Sequence, residues 1–415
     1  MSTPIVPPAV PAAPQLEHPV HWVASDELLA ELCGQWQQLD MVAVDTEFMR
    51  SATYYPQPAL VQINDGSGNY LIDPLAISNF SPLTDLLLNP DVVKVLHSCS
   101  EDLEVFQTLL NAIPQNIFDT QVAAAFAGYG FSVGYANLVQ QVLHVDLPKG
   151  ETRSDWLQRP LSQAQILYAA IDVEYLLVVA EKLRTQLRDL NRLSWVEEDA
   201  ARVASALAVS QDPEAFYLRI KSAWRLNPQE LAILKNLATW REGIAQRRNV
   251  PRNRVVKEHV LLGLAQHKPE HVGQLRKYEG MSERMIRADG ETLIRIIRET
   301  LVSDPATWPA PLPKPLSSSA TALMKVLKAK IFSLAEQLNL APEILLRKKD
   351  YEILVRAARS GETIVLPENL CGWRKQIVGD LLLQALETAE QVLDSMETEN
   401  DSDITDGGND NENEL

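Results

Sequence analysis

Four acidic residues and one tyrosine are the candidates for chemistry in this sequence of 415 residues. They are Asp45, Glu47, Asp102, Tyr168 and Asp172. Carboxylate oxygens are the ligands that hard divalent cations such as Mg²⁺ and Mn²⁺ prefer. Several carboxylates in one region, with a phenolic oxygen near the last, suit a metal site at which phosphodiesters are cleaved.

The first pair of acids ends the segment MVAVDTE (41–47), whose short apolar run predicts a buried strand. Side chains alternate faces along a strand, so Asp45 and Glu47 share one face and Thr46 points to the other. Two carboxylates so close repel each other unless a cation lies between them. The alternative is that the strand leaves the core here and that both acids are simply solvated.

The last pair belongs to the segment SQAQILYAAIDVEYLLVVAEKL (162–183), which is predicted to be one helix. Ser162 and Gln165 have the spacing of a capping box, so the helix is expected to begin there. Tyr168 and Asp172 are four residues apart and therefore share a helix face. The alternative is a tyrosine in the core beside an aspartate on the surface.

Asp102 follows the predicted strand VVKVL (92–96) and lies in the first turn of a helix that starts near Glu101. Acids are common in that turn because they oppose the helix dipole, so Asp102 alone indicates nothing. His97 is expected to form a hydrogen bond at the strand end, and Asp119 to cap the following helix. Both are left out of the metal set.

Taken together, these segments resemble the ribonuclease D family, part of the exonuclease superfamily named for four acidic metal ligands, in the subclass with a tyrosine. Asp45 and Glu47 match its Asp-x-Glu strand motif, and Asp102 matches its acidic helix start. Tyr168 and Asp172 match its Tyr-x-x-x-Asp motif. The flanking segments agree over residues 20–390, and they are TYYPQ (53–57), LIDPL (71–75), FDTQVAAAF (118–126) and RSDWLQRPL (153–161).

The resemblance implies a metal-dependent 3′→5′ exoribonuclease that releases nucleoside 5′-monophosphates, with tRNA 3′ processing as its role. The four acids Asp45, Glu47, Asp102 and Asp172 would hold two divalent ions, Mg²⁺ or Mn²⁺. Tyr168 would orient the attacking water, because a tyrosine with an ordinary pKa of about 10 is a poor base at neutral pH. The expected partner is RNA with an unpaired 3′ end, tRNA precursors above all.

The catalytic domain is expected over residues 20–200 as an α/β ribonuclease H-like domain, a mixed sheet with flanking helices. Short apolar strands in the segments MVAVDTE, ALVQI and YLIDP are separated by turn signals, which predicts an antiparallel meander. Further strands separated by helices should continue the sheet.

The rest of the chain is predicted to be helical. A helical linker (201–226) leads to a segment at 227–305 that resembles the HRDC domain, a small helical bundle. A Pro-rich linker (306–316) precedes a second HRDC-like all-α domain (317–392). This second domain is predicted because AEQLNLAPEILLRKKDYEIL, which begins at residue 335, parallels AQRRNVPRNRVVKEHVLL, which begins at residue 245.

The two termini and the charge distribution complete this division. Residues 1–19 are rich in Pro and Ala, and residues 393–415 are acidic without apolar periodicity, so both are expected to be disordered. The net charge is −17, but the negative charge lies in residues 1–226 and in the tail. The helical segments are net positive, which favours contact with phosphates.

Candidate RNA contacts are basic or aromatic. Arg247, Arg248 and Arg252 cluster in the HRDC segment and are expected to bind phosphates. The alternative is that these arginines decorate a solvated helix or pair with acids of the catalytic domain. Candidate surfaces for stacking of unpaired bases, with core packing as the alternative, are Phe48, Tyr54, Tyr55 and Trp156.

Composition excludes several classes of function. Three widely separated cysteines favour a reduced cytoplasmic protein over a secreted disulfide framework. The sequence contains neither a segment with the pattern of a secretory signal nor a long apolar stretch, so membrane association is not expected. It contains no GxxxxGK[ST] loop, so work driven by ATP is not expected either. A monomer is expected. Two other functions stay open, namely a 3′→5′ DNA exonuclease and a non-catalytic RNA-binding protein.

Overall fold

The computed structural model describes residues 16–148, 154–209, 212–360 and 366–386, which form two compact units. The first unit contains the described residues of 16–120, 134–182 and 203–314, and the second contains those of 121–133, 183–202 and 315–386. Residues 1–15 of the predicted N-terminal extension and the whole predicted acidic tail lie outside the described residues.

A six-stranded mixed sheet is the base of the first unit, with the strand order β1-β4-β3-β2-β5-β6. Strands β2, β3 and β4 pair antiparallel, which confirms the predicted meander, whereas β5 pairs parallel with both β2 and β6. Strand β1, which was not predicted, pairs parallel with β4 at the sheet edge. The strands are β1 (Val20–Val23), β2 (Met41–Met49), β3 (Gln57–Asn64), β4 (Asn69–Ile72), β5 (Val93–Leu96) and β6 (Ile117–Asp119).

Helices make up most of the remaining described chain, and none of them has both the length and the apolar character that crossing a bilayer requires. They are α1 (Asp26–Trp36), α2 (Ser81–Leu88), α3 (Ser100–Leu110), α4 (Thr120–Ala127), α5 (Tyr135–Leu143), α6 (Gln163–Glu174), α7 (Leu176–Asp189), α8 (Leu193–Val209), α9 (Pro228–Arg248), α10 (Arg252–Val255), α11 (Glu258–His267), α12 (Glu283–Leu301), α13 (Ser318–Gln337), α14 (Pro342–Leu345) and α15 (Lys348–Arg359). A 3₁₀ segment, Pro213–Arg219, precedes α9.

Each face of the sheet has its own core. On the first face, Val44 and Val61 pack with Phe106 of α3. On the second face, Leu60 packs with Ala169 of α6. Each fully buried large apolar side chain contributes about 1.5–3 kcal/mol to folding. Because side chains alternate along β2, the burial of Val44 on the first face turns its neighbours in sequence toward α6.

The sheet has a bulge next to the acidic end of β2. The pairing register shifts between Glu47 and Phe48, so that Ala59 is an extra residue in β3. Arg159 donates a hydrogen bond to the carbonyl oxygen of Ala59 at 2.7 Å and to both carboxylate oxygens of Asp73 at 2.7 and 2.8 Å. The segment around Arg159 is thereby tied to the sheet beside the acids.

The prediction of one helix over 162–183 is wrong, since the chain divides at Tyr175 into α6 and α7. The Tyr135 hydroxyl accepts a hydrogen bond from the Tyr175 backbone N–H at 3.2 Å and donates one to the Ile171 carbonyl at 3.0 Å. It therefore takes the place of the helical hydrogen bond between those two backbone groups. An inserted side chain of this kind has no signal in the helical periodicity.

The helical part of the first unit packs around one core that includes Leu234 of α9, Leu261 of α11 and Leu293 of α12. Ile220 and Leu226, which precede α9, belong to the same core. The end of the predicted linker is therefore part of this helical bundle.

The second unit has its own contacts. The indole rings of Trp195 and Trp373 stack at 4.6 Å with an interplanar angle of 8°. The Arg374 guanidinium binds the Asp199 carboxylate with both terminal nitrogens and the Ile344 carbonyl at 2.9 Å. These contacts join α8, the segment after α13, and the chain near residue 374.

The same turn occurs in the two helical segments whose sequences are parallel. Helix α9 ends at Asn249 (φ 47°), and Asn339 (φ 50°) follows α13. Asparagine adopts this left-handed backbone more readily than other side chains. Each asparagine is followed by a four-residue helix, α10 or α14, and then by a longer one, α11 or α15. Asn339 also lies against Gly128 (φ 93°), where an added Cβ would meet its Nδ2 at 2.8 Å.

Replacing Tyr135 with Phe is expected to lower the free energy of unfolding by about 1–3 kcal/mol, because two backbone groups lose their partner. Urea denaturation followed by far-UV circular dichroism would measure the change. Tyr55→Phe is the matched control, since its ring is exposed and its hydroxyl has no partner in the described chain. Equal effects of the two substitutions would show that the Tyr135 hydroxyl has no structural role.

Candidate active site

A cavity of about 590 Å³ opens where the carboxyl ends of the parallel strands meet, the usual place for a site in such sheets. Strand β5 pairs with β2 only over Met41–Ala43, so the acidic end of β2 has a neighbouring strand on one side only. The cavity lies against this open side. All five residues proposed for chemistry line it, and they are Asp45, Glu47, Asp102, Tyr168 and Asp172.

Three of the acids come together most closely. One carboxylate oxygen each of Asp45, Glu47 and Asp172 lies within 4.8 Å of the other two. Asp102 is buried on the cavity wall, where its Oδ1 accepts a hydrogen bond of 2.5 Å from Thr46 Oγ1. The hydroxyl of Thr46, which lies between Asp45 and Glu47 in the sequence, thus positions Asp102 of α3.

Helix α6 positions the tyrosine and the last acid. The predicted capping box is confirmed, since Ser162 and Gln165 exchange the two expected hydrogen bonds at its start. From this start, Tyr168 and Asp172 share a face, and the Tyr168 hydroxyl forms a hydrogen bond with the Asp172 carboxylate. The Trp156 ring, 6.0 Å from that of Tyr168, packs beside it. Tyr168 and Asp172, which lie on consecutive turns of α6, therefore both line the cavity.

A tight turn after β5 positions α3. Ser98 has a left-handed backbone (φ 62°), and Asp119 accepts hydrogen bonds from the backbone N–H groups of Ser98 and Cys99 at 3.0 and 2.9 Å. His97 lies between the strand and the turn and forms a hydrogen bond of 2.9 Å with Thr120 Oγ1, so its predicted strand-end bond is confirmed. Asp119 and His97 therefore support the helix that carries Asp102.

Burial and mutual repulsion raise the pKa of each of these acids and so favour its protonated form when no cation is bound. Burial, and next the charge of Asp45, raises the pKa of Glu47 to about 9. Burial raises the pKa of Asp172 to about 7, although the Tyr168 hydrogen bond opposes this. For Asp45, burial and then Asp172 raise the pKa well above its usual range, and burial and then Asp45 do so for Asp102. A bound divalent cation would reverse this preference, because it stabilises the ionised carboxylates.

The donor set therefore fits a divalent-metal-dependent nuclease. It consists of oxygen atoms only, and no histidine or cysteine belongs to the cluster of three acids within the described residues. All-oxygen ligands suit hard divalent cations rather than zinc. Asp45, Glu47 and Asp172 are the residues that would hold such an ion most directly, with Asp102 beside them.

The residues predicted for RNA contact lie in different places. Phe48 is half-buried and lines the cavity with the acids. Arg247 and Arg248 occupy the last turn of α9, and Arg252 is the first residue of α10. Arg247 is exposed, whereas Arg248 binds Asp289 with two hydrogen bonds of 2.8 and 3.0 Å.

Two of the remaining candidates are engaged inside the protein. Arg252 binds both carboxylate oxygens of Glu242 at 2.6 Å, which offsets its charge. Trp156 is 2% exposed and belongs to the core on the second face of the sheet. For Trp156, the alternative of core packing is therefore correct.

Two residues of the site were not predicted. Tyr135 lines the cavity and divides α6 from α7, yet it has no sequence relation to the acids. Burial, and next the charge of Asp172, raises the pKa of Tyr135 well above its usual range. Thr46 points away from Asp45 and Glu47, as expected from alternation along β2. Its hydrogen bond to Asp102 was not predicted, because that bond depends on the position of α3. Neither contact could be read from local spacing.

The metal-free protein is expected to lose stability as pH rises. The unfolded chain releases the Glu47 proton near a pKa of about 4.3. The folded protein retains this proton up to a pKa of about 9, so the stabilising effect is lost between these values. Glu47→Gln should therefore raise the melting temperature in EDTA at pH 8 by a few degrees, with no gain at pH 4.

Thermal unfolding followed by circular dichroism would measure this effect. Adding Mg²⁺ or Mn²⁺ at pH 8 should stabilise the wild type more than Glu47→Gln, because the substitution removes a ligand. The matched control is Glu336→Gln, which changes a solvent-exposed acid. A Glu47→Gln melting curve that follows wild type at both pH values would contradict this account of the acids.

Comparisons with known proteins agree with this site. The family model for 3′-5′ exonuclease domains matches residues 20–188, and the model for HRDC domains matches residues 230–297. Ribonuclease D of Pseudomonas paraeruginosa is 45% identical over 370 residues, which are 89% of this chain and 98% of that protein. The crystal structure of Escherichia coli RNase D, 34% identical, matches with a TM-score of 0.81 over 89% of this chain and 99% of that chain.

A more distant structure, a protein from Bifidobacterium adolescentis, is 21% identical with a TM-score of 0.62 and shares the fold. The closer relatives match along almost their whole length, and the resemblance inferred from the five residues and their flanking segments is confirmed. The chain therefore belongs to the ribonuclease D family of 3′→5′ exoribonucleases.

Proposed function

We propose that this 3′→5′ exoribonuclease uses two divalent ions, Mg²⁺ or Mn²⁺, to remove nucleoside 5′-monophosphates from unpaired 3′ ends of structured RNAs, including tRNA precursors. The observation that carries the proposal is the convergence of Asp45, Glu47 and Asp172 within 4.8 Å in one cavity. The related E. coli enzyme is an exoribonuclease involved in structured RNA processing, which supports the substrate class.

In this proposal Asp45, Glu47, Asp102 and Asp172 hold the ions. Ions bound there would supply Lewis-acid stabilisation of the attacking and leaving oxygens of the phosphodiester. Thr46 keeps Asp102 in place through its hydrogen bond. The half-buried Phe48 contacts the terminal base, and its position in the cavity beside Glu47 supports this role.

Tyr168 orients the attacking water in the proposed mechanism. Burial, and next the charge of Asp172, raises the pKa of Tyr168 above its ordinary value. The hydroxyl therefore stays protonated at neutral pH, which suits a hydrogen-bond donor rather than a general base. Its bond to the Asp172 carboxylate supports a role in aligning water beside the ligands.

The helical segments would hold the RNA. We propose an HRDC domain at 227–305 and a second HRDC-like domain at 317–392, joined by the linker 306–316. The shared order of long helix, left-handed asparagine, short helix and further helix supports the second domain. The proposed catalytic domain covers residues 20–200.

The proposed setting is the cytoplasm, where the protein would act as a monomer without ATP. Three free thiols support a reducing compartment. Two of them, Cys33 and Cys99, are buried.

The deciding experiment compares a 5′-labelled RNA that has an unpaired 3′ tail with a DNA of the same sequence. Each is incubated with Mg²⁺, Mn²⁺ or EDTA, using wild type and Asp45→Asn. A metal-dependent ladder that shortens from the RNA 3′ end, absent for Asp45→Asn, is the expected result. Faster digestion of the DNA would make the protein a DNA exonuclease. Binding without cleavage of either strand would leave only an RNA-binding role.

Tyr168→Phe is expected to reduce kcat by about 10²-fold or more, as loss of a positioning group does. The dissociation constant for RNA and the binding of Mn²⁺ should stay at wild-type values. Single-turnover kinetics and fluorescence anisotropy would separate these quantities. Unchanged kcat would remove Tyr168 from the mechanism.

Arg247→Ala is expected to weaken RNA binding and to reduce the slope of log Kd against log salt by about 0.7, the value for one phosphate contact with a single strand. Arg247 is chosen because it is exposed and, unlike Arg248 and Arg252, has no carboxylate partner in the described structure. Arg276→Ala is the control, since Arg276 is paired with Glu283 on the surface of the same bundle. A wild-type slope for Arg247→Ala would exclude this contact.

A further inference from the structure

A second cavity, of about 420 Å³, lies within the first unit beside the active site. Its volume is in the range of small-ligand sites. Four parts of the chain line it, and they are the loop between β2 and β3, the exposed face of α3, the 3₁₀ segment before α9, and the end of α9 with the start of α10. The lining residues used below are Arg50, Tyr55, Glu104, Gln107, Asn111 and Gln246.

A partly buried hydrogen-bond network builds this cavity. The Tyr54 hydroxyl donates to the Glu242 carboxylate and accepts from Gln246 Nε2 at 3.2 Å and from Arg252 at 3.0 Å. The Asn249 Oδ1 accepts from the backbone N–H groups of Tyr54 and the next residue, each at 3.1 Å. Arg252 is therefore a positioning residue that holds the loop after β2 against the helical bundle.

The second cavity continues from the active site along two elements. Phe48 of β2 lines the active site, and Arg50, which directly follows β2, lines the second cavity. Glu101 of α3 lines the active site, and Gln107 of α3 and Asn111, which follows this helix, line the second cavity. A helix rises about 1.5 Å per residue, so these positions lie about 9 and 15 Å from Glu101 along the axis. At about 3.4 Å per stacked nucleotide, that distance is three or four nucleotides.

The lining offers groups that suit a nucleobase. Two of its three arginines are paired with acids, Arg50 with Glu104 and Arg252 with Glu242. Gln107 Nε2 donates to Asn111 Oδ1 at 2.9 Å. In the described structure this bond leaves one amide acceptor, Gln107 Oε1, and one amide donor, Asn111 Nδ2, without a partner. A donor and an acceptor side by side match the edge of a base.

An aromatic ring at the rim completes the lining. Tyr55 is 40% exposed and packs edge to face against Tyr54 at 4.7 Å, which holds its ring in place. Bases stack on such rings without regard to sequence. We propose that this cavity binds an unpaired base of the RNA three or four nucleotides upstream of the 3′ end. The proposal rests on the proposed exoribonuclease function.

Substrate length tests the proposal. Unpaired RNAs of two and of eight nucleotides are digested by full-length wild type, Tyr55→Ala and Gln107→Ala in Mg²⁺. Loss of base stacking on one aromatic ring corresponds to about 5- to 150-fold in affinity. KM for the eight-nucleotide RNA should therefore rise at least about fivefold in Tyr55→Ala, with kcat unchanged, and neither parameter should change for the dinucleotide. Tyr55→Phe should behave as wild type, because it keeps the ring.

The control is Phe131→Ala, which removes an exposed aromatic ring that does not line the cavity. Equal KM values for the longer RNA in wild type and Tyr55→Ala would overturn the proposal, and so would an equal loss at both lengths.

A failure of the proposed function itself gives a different result. If wild type digests neither RNA, the cavity can still be tested by fluorescence anisotropy, which measures the binding of the eight-nucleotide RNA to Asp45→Asn. Weaker binding when Tyr55→Ala is added to Asp45→Asn would support the base site in the absence of catalysis. Unchanged binding would overturn it.

Discussion

The mutual repulsion of half-buried carboxylates is the constraint on which the rest of the structure depends. Asp45, Glu47 and Asp172 are held within 4.8 Å of one another, in an environment that favours their protonated forms. No fold gains stability from such an arrangement unless a ligand binds it. The strand pairing on one side of β2, the capping box of α6 and the hydroxyl of Thr46 are the means by which the chain holds these groups together.

The helical bundle contacts the loop after β2 through a network of polar groups. Tyr54 and Arg252 converge on the buried carboxylate of Glu242, and Asn249 binds the backbone of the same loop. The loop begins where β2 leaves the metal site. Hydrogen bonds thereby link the bundle to a loop that begins a few residues after Asp45 and Glu47. Arginine suits this role because its planar fork binds a carboxylate and an aromatic ring together.

Much of this arrangement could be predicted from sequence, because the signals are local. The alternation of side chains along β2 predicted that Asp45 and Glu47 share one face of the strand. The four-residue spacing of Tyr168 and Asp172 predicted that they share one face of α6. Long-range contacts were not predictable. The hydroxyl of Tyr135 divides a helix 40 residues away, and no periodicity contains that information. The basic cluster was expected to bind phosphates, whereas Asp289, 41 residues from Arg248, and Glu242, ten residues from Arg252, offset two of its charges.

The left-handed asparagine turn has a consequence for how helical segments attach. In the first unit the side chain of Asn249 binds two backbone N–H groups, and in the second unit Asn339 lies against a glycine. When a helical segment carries the attaching side chain in its own turn, the segment that it contacts needs to supply only backbone N–H groups or a glycine. Two helical segments can therefore attach to different parts of a protein through the same kind of turn, and their exposed residues can differ while this means of attachment is preserved.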